Sequence, residues 1–140
     1  MVEFAIILPV FIILIFGIIE FSILLYNKGI ITHAAREGAR SGVVYNIGDA
    51  IDIESEVSNY INDNLISFSS SKPTPDIDIK FLDENDVIKT GQSNCPDTTS
   101  SKDKLRVRVS YPYSFLVLPN FVTELAGGVN LESQAVMVCE

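Results

Sequence analysis

Few residues of this sequence are of a type and spacing that could carry out chemistry. His33 is the single histidine, so one chain cannot hold a catalytic histidine pair or a metal site with several histidine ligands. The acids Asp83, Glu84 and Asp86 lack the alternating spacing of a calcium-binding loop and are typical of a solvated hairpin turn. The sequence contains no nucleophile-elbow, phosphate-binding glycine loop or haem-attachment motif. We therefore predict no enzyme activity, no metal site and no cofactor.

Two other carboxylates are notable for their apolar surroundings. Glu3 and Glu20 are the only charged residues among the first 27, and the 16 residues from Phe4 to Ile19 are uncharged. As a helix this run would be about 24 Å long, which is shorter than a hydrocarbon core of roughly 30 Å. Extension to Tyr26 gives roughly 35 Å but places Glu20 at membrane depth. A charge there costs at least ~2 kcal/mol and usually faces protein or water, so the helix is better suited to a bundle than to lipid alone.

The apolar run does not have the layout of a cleaved secretory signal. It has no basic region before it and no A-x-A-like site after it, so we expect it to persist as a membrane helix. Lys28, Arg36 and Arg40 follow the run and by themselves favour a cytoplasmic location for that side. Basic residues in an upstream leader would oppose them.

The rest of the chain is acidic and has the composition of a soluble domain. Residues 41–140 contain 7 basic and 15 acidic residues, and the whole chain has a net charge of −8. We predict an apolar N-terminal segment (1–45) followed by one exported domain (46–140). Because phosphate binding requires a basic surface, the acidity argues against a nucleic-acid partner.

Hydrophobic periodicity predicts an α+β fold for the exported domain. After a break at 46–49, apolar residues recur with helical spacing over 50–67, and alternation predicts strands over 76–81, 105–111 and 130–138. A turn at 83–86 leads to a short return strand at 87–89, a polar loop covers 91–101, and a second turn lies at 118–120. We expect a three- or four-stranded antiparallel sheet packed on the amphipathic helix.

A stripe of small residues continues the N-terminal helix. Ala34, Gly38 and Gly42 are four residues apart, so they share one face, and their small size allows another backbone to approach closely. This face packs either on the chain's own exported domain or on another subunit. Glycine inside a helix costs up to ~1 kcal/mol relative to alanine, and close packing would offset that cost.

The run EFAIILPVFIILIFGIIEFSILLYNKGIITHAAREGARSG resembles the N-terminal signature of TadE-like proteins, the minor pseudopilins of tight-adherence (Tad, Flp-type) pili, which are type IV pilin-like. The resemblance is carried by Glu3-Phe4, Pro9, Glu20-Phe21 and the AAREGAR block at 34–40. It resumes in LRVRVSYPYSFLVLPNF and QAVMVCE, and so covers about the first 45 and the last 36 residues.

The resemblance implies a pilin-like structural subunit. Its helix would lie in the inner membrane before assembly and then in the core of an extracellular pilus, with the exported domain displayed outside and a role in adhesion. The implied partners are other pilin subunits, a prepilin peptidase and the pilus assembly machinery. Major and minor subunits need the same helix, so both remain open. The alternative is a membrane-anchored extracytoplasmic binding domain that does not polymerise.

The same resemblance assigns Glu3 an assembly role, in which it neutralises the N-terminal amine of a neighbouring subunit. The alternative is a carboxylate in the first helical turn, stabilised by the helix macrodipole. In type IV pilins the corresponding glutamate is the fifth residue after the leader cleavage site. Glu3 is the third residue of this sequence. Either two residues are missing, or processing differs, or Met1 is the initiator. The residues predicted to act in assembly are Glu3, Glu20, Ala34, Gly38 and Gly42.

The two cysteines are predicted to form a disulfide. Cys95 lies in the polar loop and Cys139 at the end of the last predicted strand. Because an exported domain folds in an oxidising compartment, two unpaired thiols are less expected there than a bridge.

Overall fold

The computed structural model describes residues 2–44, 53–67, 73–90, 95, 102–115 and 129–139, without the side chains of residues 2, 3 and 5. The described residues form two helices and three strands: α1 (Val2–Val44), α2 (Ile53–Asn64), β1 (Asp76–Leu82), β2 (Lys104–Tyr113) and β3 (Val129–Val138). The strands make one antiparallel sheet in the order β1-β2-β3. The predicted α+β fold class is confirmed, with three strands.

α1 is one continuous helix with two different surroundings. Its 43 residues are about 65 Å long, and Pro9 lies inside it. We call Val2–Ile19 the stem, where every described side chain is exposed. From Glu20 onward one side of the helix is buried, and Ile31, Ala35 and Ala39 are in the hydrophobic core at 0% exposure.

α2 runs antiparallel to the second half of α1. Glu54 and Glu56 in its first turn stabilise the helix through its macrodipole. Val57, Ile61 and, just beyond the helix, Leu65 are four residues apart and buried, as the amphipathic pattern predicts. The predicted helix at 50–67 is therefore confirmed at Ile53–Asn64.

The sheet covers the other side of the core. Its inner face is built from alternate residues paired across the strands, as in Ile79↔Val107↔Ala135. Many of the residues between them are polar or charged and lie on the outer face, as is typical of an antiparallel sheet with one solvated face. That face also exposes two valines, Val136 and Val138. α1 lies against β2 and β3, and α2 contacts α1 and β1. We call the packed body of α1 from Glu20, α2 and the sheet the head.

The predicted return strand at 87–89 is only a single β-bridge. Leu82 pairs with Ile88, and the Lys89 amide donates to the Phe81 carbonyl at 2.9 Å. Val87 and Ile88 are exposed, so no core residue extends the pairing. The preceding turn is confirmed: Asp83 Oδ1 accepts hydrogen bonds from the amides of Asn85 and Val87, at 2.8 and 3.0 Å.

Other predicted features lie outside the described residues. These are the break at 46–49, the turn at 118–120 and the polar loop at 91–101 apart from Cys95. The division of the chain at residue 45 also stays a prediction. In space, the second half of α1 supplies core residues to the head.

Cys95 and Cys139 are joined in a disulfide across a sequence separation of 44 residues, as predicted. The bridge lies at a corner where the Cys139 amide donates to the Asp103 carbonyl at 2.7 Å. The Asp103 side chain is buried there and pairs with Lys89 at 2.7 Å. The disulfide therefore fastens the end of β3 to the segment that precedes β2.

Replacement of both cysteines by serine should lower the free energy of unfolding of the head by up to ~4 kcal/mol, because the bridge no longer restricts the unfolded chain. Denaturant unfolding of the full chain in detergent micelles measures this effect. Reductant should lower the free energy of unfolding of the native protein by about the same amount and should not change that of the double-serine variant. An unchanged unfolding midpoint in that variant would contradict the prediction.

Candidate functional site

The most unusual surface of the molecule is the stem. Large apolar side chains project from all of its sides, for example Phe4 at 69%, Ile6 at 70% and Ile13 at 71% exposure. Contiguous apolar surface of this extent marks a contact with lipid or protein. The helix is also long and apolar enough to cross a membrane, judged by length and composition. The stem is therefore suited to contact with lipid or with another apolar protein surface.

The small-residue stripe faces the chain's own head. Ala34 is 1% exposed, and a Cβ added at Gly38 would overlap the buried Val57 side chain. A Cβ at Gly42 would overlap Leu105. The glycines thus let α1 approach α2 and β2 closely. The packing supports the intramolecular alternative, and any contribution of these residues to assembly, still a prediction, would act through the fold of the head.

Glu20 lies where the stem ends and the head begins. Its side chain is 4% exposed, and the Tyr113 hydroxyl donates to Glu20 Oε1 at 2.7 Å. The ring of Phe115 packs edge-on against Tyr113, with 5.4 Å between the ring centroids. The sequence predicted a protein or water neighbour for this carboxylate. The structure supplies one from the same chain, 93 residues away.

The surroundings of this pair favour the protonated tyrosine. Burial raises the pKa of Tyr113, and the hydrogen bond to the Glu20 carboxylate and the negative charge of that group raise it further. The phenol therefore remains a donor at neutral pH. The Glu20 carboxylate accepts a hydrogen bond from Tyr113 inside the protein. This bond offsets much of the free-energy cost of burying a carboxylate next to the apolar stem.

A second contact, not predicted from the sequence, involves Asn27. This residue is fully buried, and its side-chain amide donates to the Ile66 carbonyl at 2.8 Å while its oxygen accepts from the Ile66 amide at 3.1 Å. The two bonds fasten the chain beyond α2 to α1. On β3, Lys28 donates to the Glu132 carbonyl, and the hydroxyls of Thr32 and Ser133 are 3.3 Å apart.

The remaining candidate residues do not form a chemical site in the part of the chain that the structure describes. His33 is exposed on α1, and Glu84 and Asp86 form ion pairs with Lys102 and Lys104. No group of three or more histidine, cysteine, aspartate or glutamate side chains that could hold a metal ion occurs among the described residues. The side chain of Glu3 lies outside them.

The outer face of the sheet carries a depression of about 380 Å³. It is lined by Asp76, Ile77, Asp78, Arg108, Ser110 and Glu132. Arg108 pairs with Glu132 at 2.6 Å and Lys80 pairs with Asp78 at 2.7 Å. Two of its three carboxylates, those of Asp78 and Glu132, therefore already pair with cations, and Asp76 supplies the third.

Gly38→Leu should destabilise the head by about 1–3 kcal/mol, because the new side chain would overpack the contact with Val57. Gly29→Leu is the matched control, since no atom lies within 4 Å of a Cβ at that position. Helix propensity alone would make the control neutral or up to ~1 kcal/mol more stable. Thermal melting of both full-length variants measures the difference. If both melted like the native protein, the glycine contact would not be tight.

Tyr113→Phe should lower the free energy of unfolding of the head by about 1–3 kcal/mol, because the buried Glu20 carboxylate loses a hydrogen-bond donor. The raised pKa of Tyr113 also gives stability a pH dependence. In the unfolded chain a tyrosine ionises near pH 10, whereas the folded protein holds the proton, so the contribution is complete below about pH 10 and declines as the pH rises above it.

Unfolding of the native and Tyr113→Phe proteins between neutral pH and pH 11 tests both effects. The variant should lose less stability over the alkaline range than the native protein. Tyr60→Phe is the control, because that side chain is 38% exposed. Equal stability of the Tyr113 and Tyr60 variants at every pH would show that the hydrogen bond contributes nothing.

Comparison with known proteins gives one match. The family model described as TadE-like protein matches residues 1–40, a segment that includes the stem, Glu20 and Gly38. No curated protein and no solved structure matches the chain. The resemblance carried by the N-terminal signature is confirmed, and the family links the chain to the Tad pilus and its components. The segment at residues 1–40 of this chain is thus similar to the corresponding segment of TadE-like proteins.

Proposed function

We propose that this chain is a pilin-like structural subunit of a Tad pilus and that it has no enzyme activity. The stem lies in the inner membrane before assembly and in the filament core afterwards, while the head is displayed outside. The observation that carries the proposal is the exposure of the stem on all sides. The TadE-like match over residues 1–40 supports it.

The energetics of the stem support a role in assembly. Each large apolar side chain gains ~1.5–3 kcal/mol on leaving water, so the stem is strongly excluded from it. Lipid and a bundle of identical helices satisfy this requirement about equally well, because hydrocarbon tails are as apolar as the side chains. Transfer from membrane to filament is therefore not opposed by the hydrophobic effect. Packing and pairing of charges would decide its direction.

Glu3 supplies such a pairing. It is the only charged residue before Glu20, and Glu20 is already hydrogen-bonded inside its own head. The pairing is therefore assigned to Glu3, and its partner would be the N-terminal amine of a neighbouring subunit. Pairing would partly offset the cost of placing both charges in an apolar core.

The further partners follow from this role. They are other pilin subunits, a prepilin peptidase and the pilus assembly machinery, and the displayed head would contribute to adhesion. The second candidate, an anchored binding domain that never polymerises, is supported by the depression on the outer sheet face. Since two of the three carboxylates around that depression pair with cations, and its one lining cation, Arg108, is itself paired, the filament subunit remains the better-supported function.

Glu3→Gln should leave the chain membrane-inserted and the head folded but should strongly reduce its incorporation into filaments. The change removes the charge that pairs with the neighbouring amine and alters the size of the side chain little. Quantification of the chain in sheared filaments, relative to the membrane fraction, measures the effect.

The control is Glu56→Gln, which removes a charge from the first turn of α2, on the surface of the head. This variant should enter filaments like the native chain. Normal incorporation of Glu3→Gln would exclude the amine-pairing role and leave the macrodipole as the reason for an acid at that position.

A further inference from the structure

The apolar run between Glu3 and Glu20 is shorter than a membrane. Phe4–Ile19 would span about 24 Å as a helix, whereas a hydrocarbon core is roughly 30 Å thick. The stretch from Phe4 to Leu25 would span about 33 Å. If the chain is anchored as proposed, the bilayer must either become thinner around the stem or extend past Glu20 to the base of the head.

One side of α1 remains apolar beyond Glu20. Phe21 is 61% exposed, Leu25 53% and Tyr26 48%. The intervening Ser22 donates its hydroxyl hydrogen bond to the Ile18 carbonyl of the same helix at 2.7 Å, so it needs no water. This surface continues that of the stem without a free polar side chain.

We call Phe21, Leu25 and Tyr26 the apolar rim. It lies at the end of the head from which the stem leaves. Ile66 is 40% exposed and is held by two hydrogen bonds to Asn27, which lies only about 20° around the axis from Glu20, so Ile66 is not part of the rim.

Glu20 lies at the same level of α1 as the apolar rim but on a different side of the helix. At about 100° per residue, Phe21 and Leu25 lie roughly 100° and 140° around the axis from Glu20. Glu20 is covered by Tyr113, which in turn packs against Phe115. Lipid could therefore reach the apolar rim without contacting the carboxylate.

Polar groups mark where the apolar surface ends. The Tyr26 hydroxyl lies 3.5 Å from the Asn64 carbonyl oxygen, and Asp63 and Asn64 are exposed at the end of α2. Lys28 follows Leu25 by about 4.5 Å along the helix. Tyrosine and lysine are typical of the boundary between hydrocarbon and headgroups. The level of Tyr26 and Lys28 is thus the natural boundary.

We propose that the apolar rim is a lipid-contacting surface, so that the base of the head enters the bilayer as far as Leu25 and Tyr26 while Tyr113 shields Glu20 at the same depth. This inference rests on the proposed function, because it requires a membrane-inserted stem. The occupant is lipid because the rim continues the surface of the stem and supplies the length that the stem lacks. The head is thereby held in one orientation, tilted toward the membrane on the rim side.

The chain contains no tryptophan, so single tryptophans can report the depth of chosen positions. Four full-length variants serve: Phe21→Trp and Leu25→Trp in the rim, Phe11→Trp in the stem, and Val87→Trp on the exposed turn of the head. The probe is a vesicle of phosphatidylcholine and phosphatidylglycerol with brominated acyl chains, at a protein density low enough to keep the chains apart. Thermal melting first verifies that each head is folded.

The inference predicts strong bromine quenching and blue-shifted emission at positions 21 and 25, close to the values at position 11, and no quenching at position 87. Quenching at position 11 but not at 21 and 25 overturns the inference and leaves the anchored stem intact. Quenching at 21 but not at 25 also overturns it, because the boundary then lies below Leu25. Absence of quenching at position 11 would overturn both the inference and the anchored stem of the proposed function.

Discussion

The structure depends on one continuous helix that changes its surroundings at Glu20. Before that residue α1 is apolar on all sides, and after it one face becomes part of a hydrophobic core. No loop separates the two parts, so the orientation of the head relative to the stem is fixed by helix geometry. Any force or packing constraint on the stem is carried directly into the core of the head.

This continuity explains the density of contacts around the second half of α1. Glycine and alanine bring α2 and β2 close to the helix. Ile66 and Tyr113, which are far from the helix in the sequence, bind it through Asn27 and Glu20. A domain of about 100 residues has a small core, and a disulfide adds stability that such a core cannot supply alone. The head therefore holds its central helix through many contacts, while the described side chains of the stem remain exposed.

The sequence predicted those features that arise from local pattern. Alternation in β1, β2 and β3 and the four-residue spacing of Val57 and Ile61 identified the strands and α2, because one face of each element must be buried. The disulfide was predicted from the presence of two cysteines in a domain expected to be exported. The uninterrupted apolar run predicted the long apolar helix of the stem.

Features that depend on the tertiary arrangement were not predictable. The spacing of Ala34, Gly38 and Gly42 shows that something approaches closely, but it cannot show whether that is the same chain or another one. Tyr113 and Glu20 are 93 residues apart, and Asn27 and Ile66 are 39 apart, so no local pattern links them. A buried Asn or Glu signals only that a partner exists, because such groups are hydrogen-bonded inside proteins.

The central claim is that the stem exchanges lipid for the helices of other pilus subunits. Photocrosslinking in intact cells tests it most directly, with a benzophenone amino acid in place of Phe11 in the middle of the stem. Adducts to the apolar helices of other pilus subunits, recovered in sheared filaments, are the predicted result. Adducts to lipid alone, with the chain confined to the membrane fraction of cells that make pili, would contradict the account.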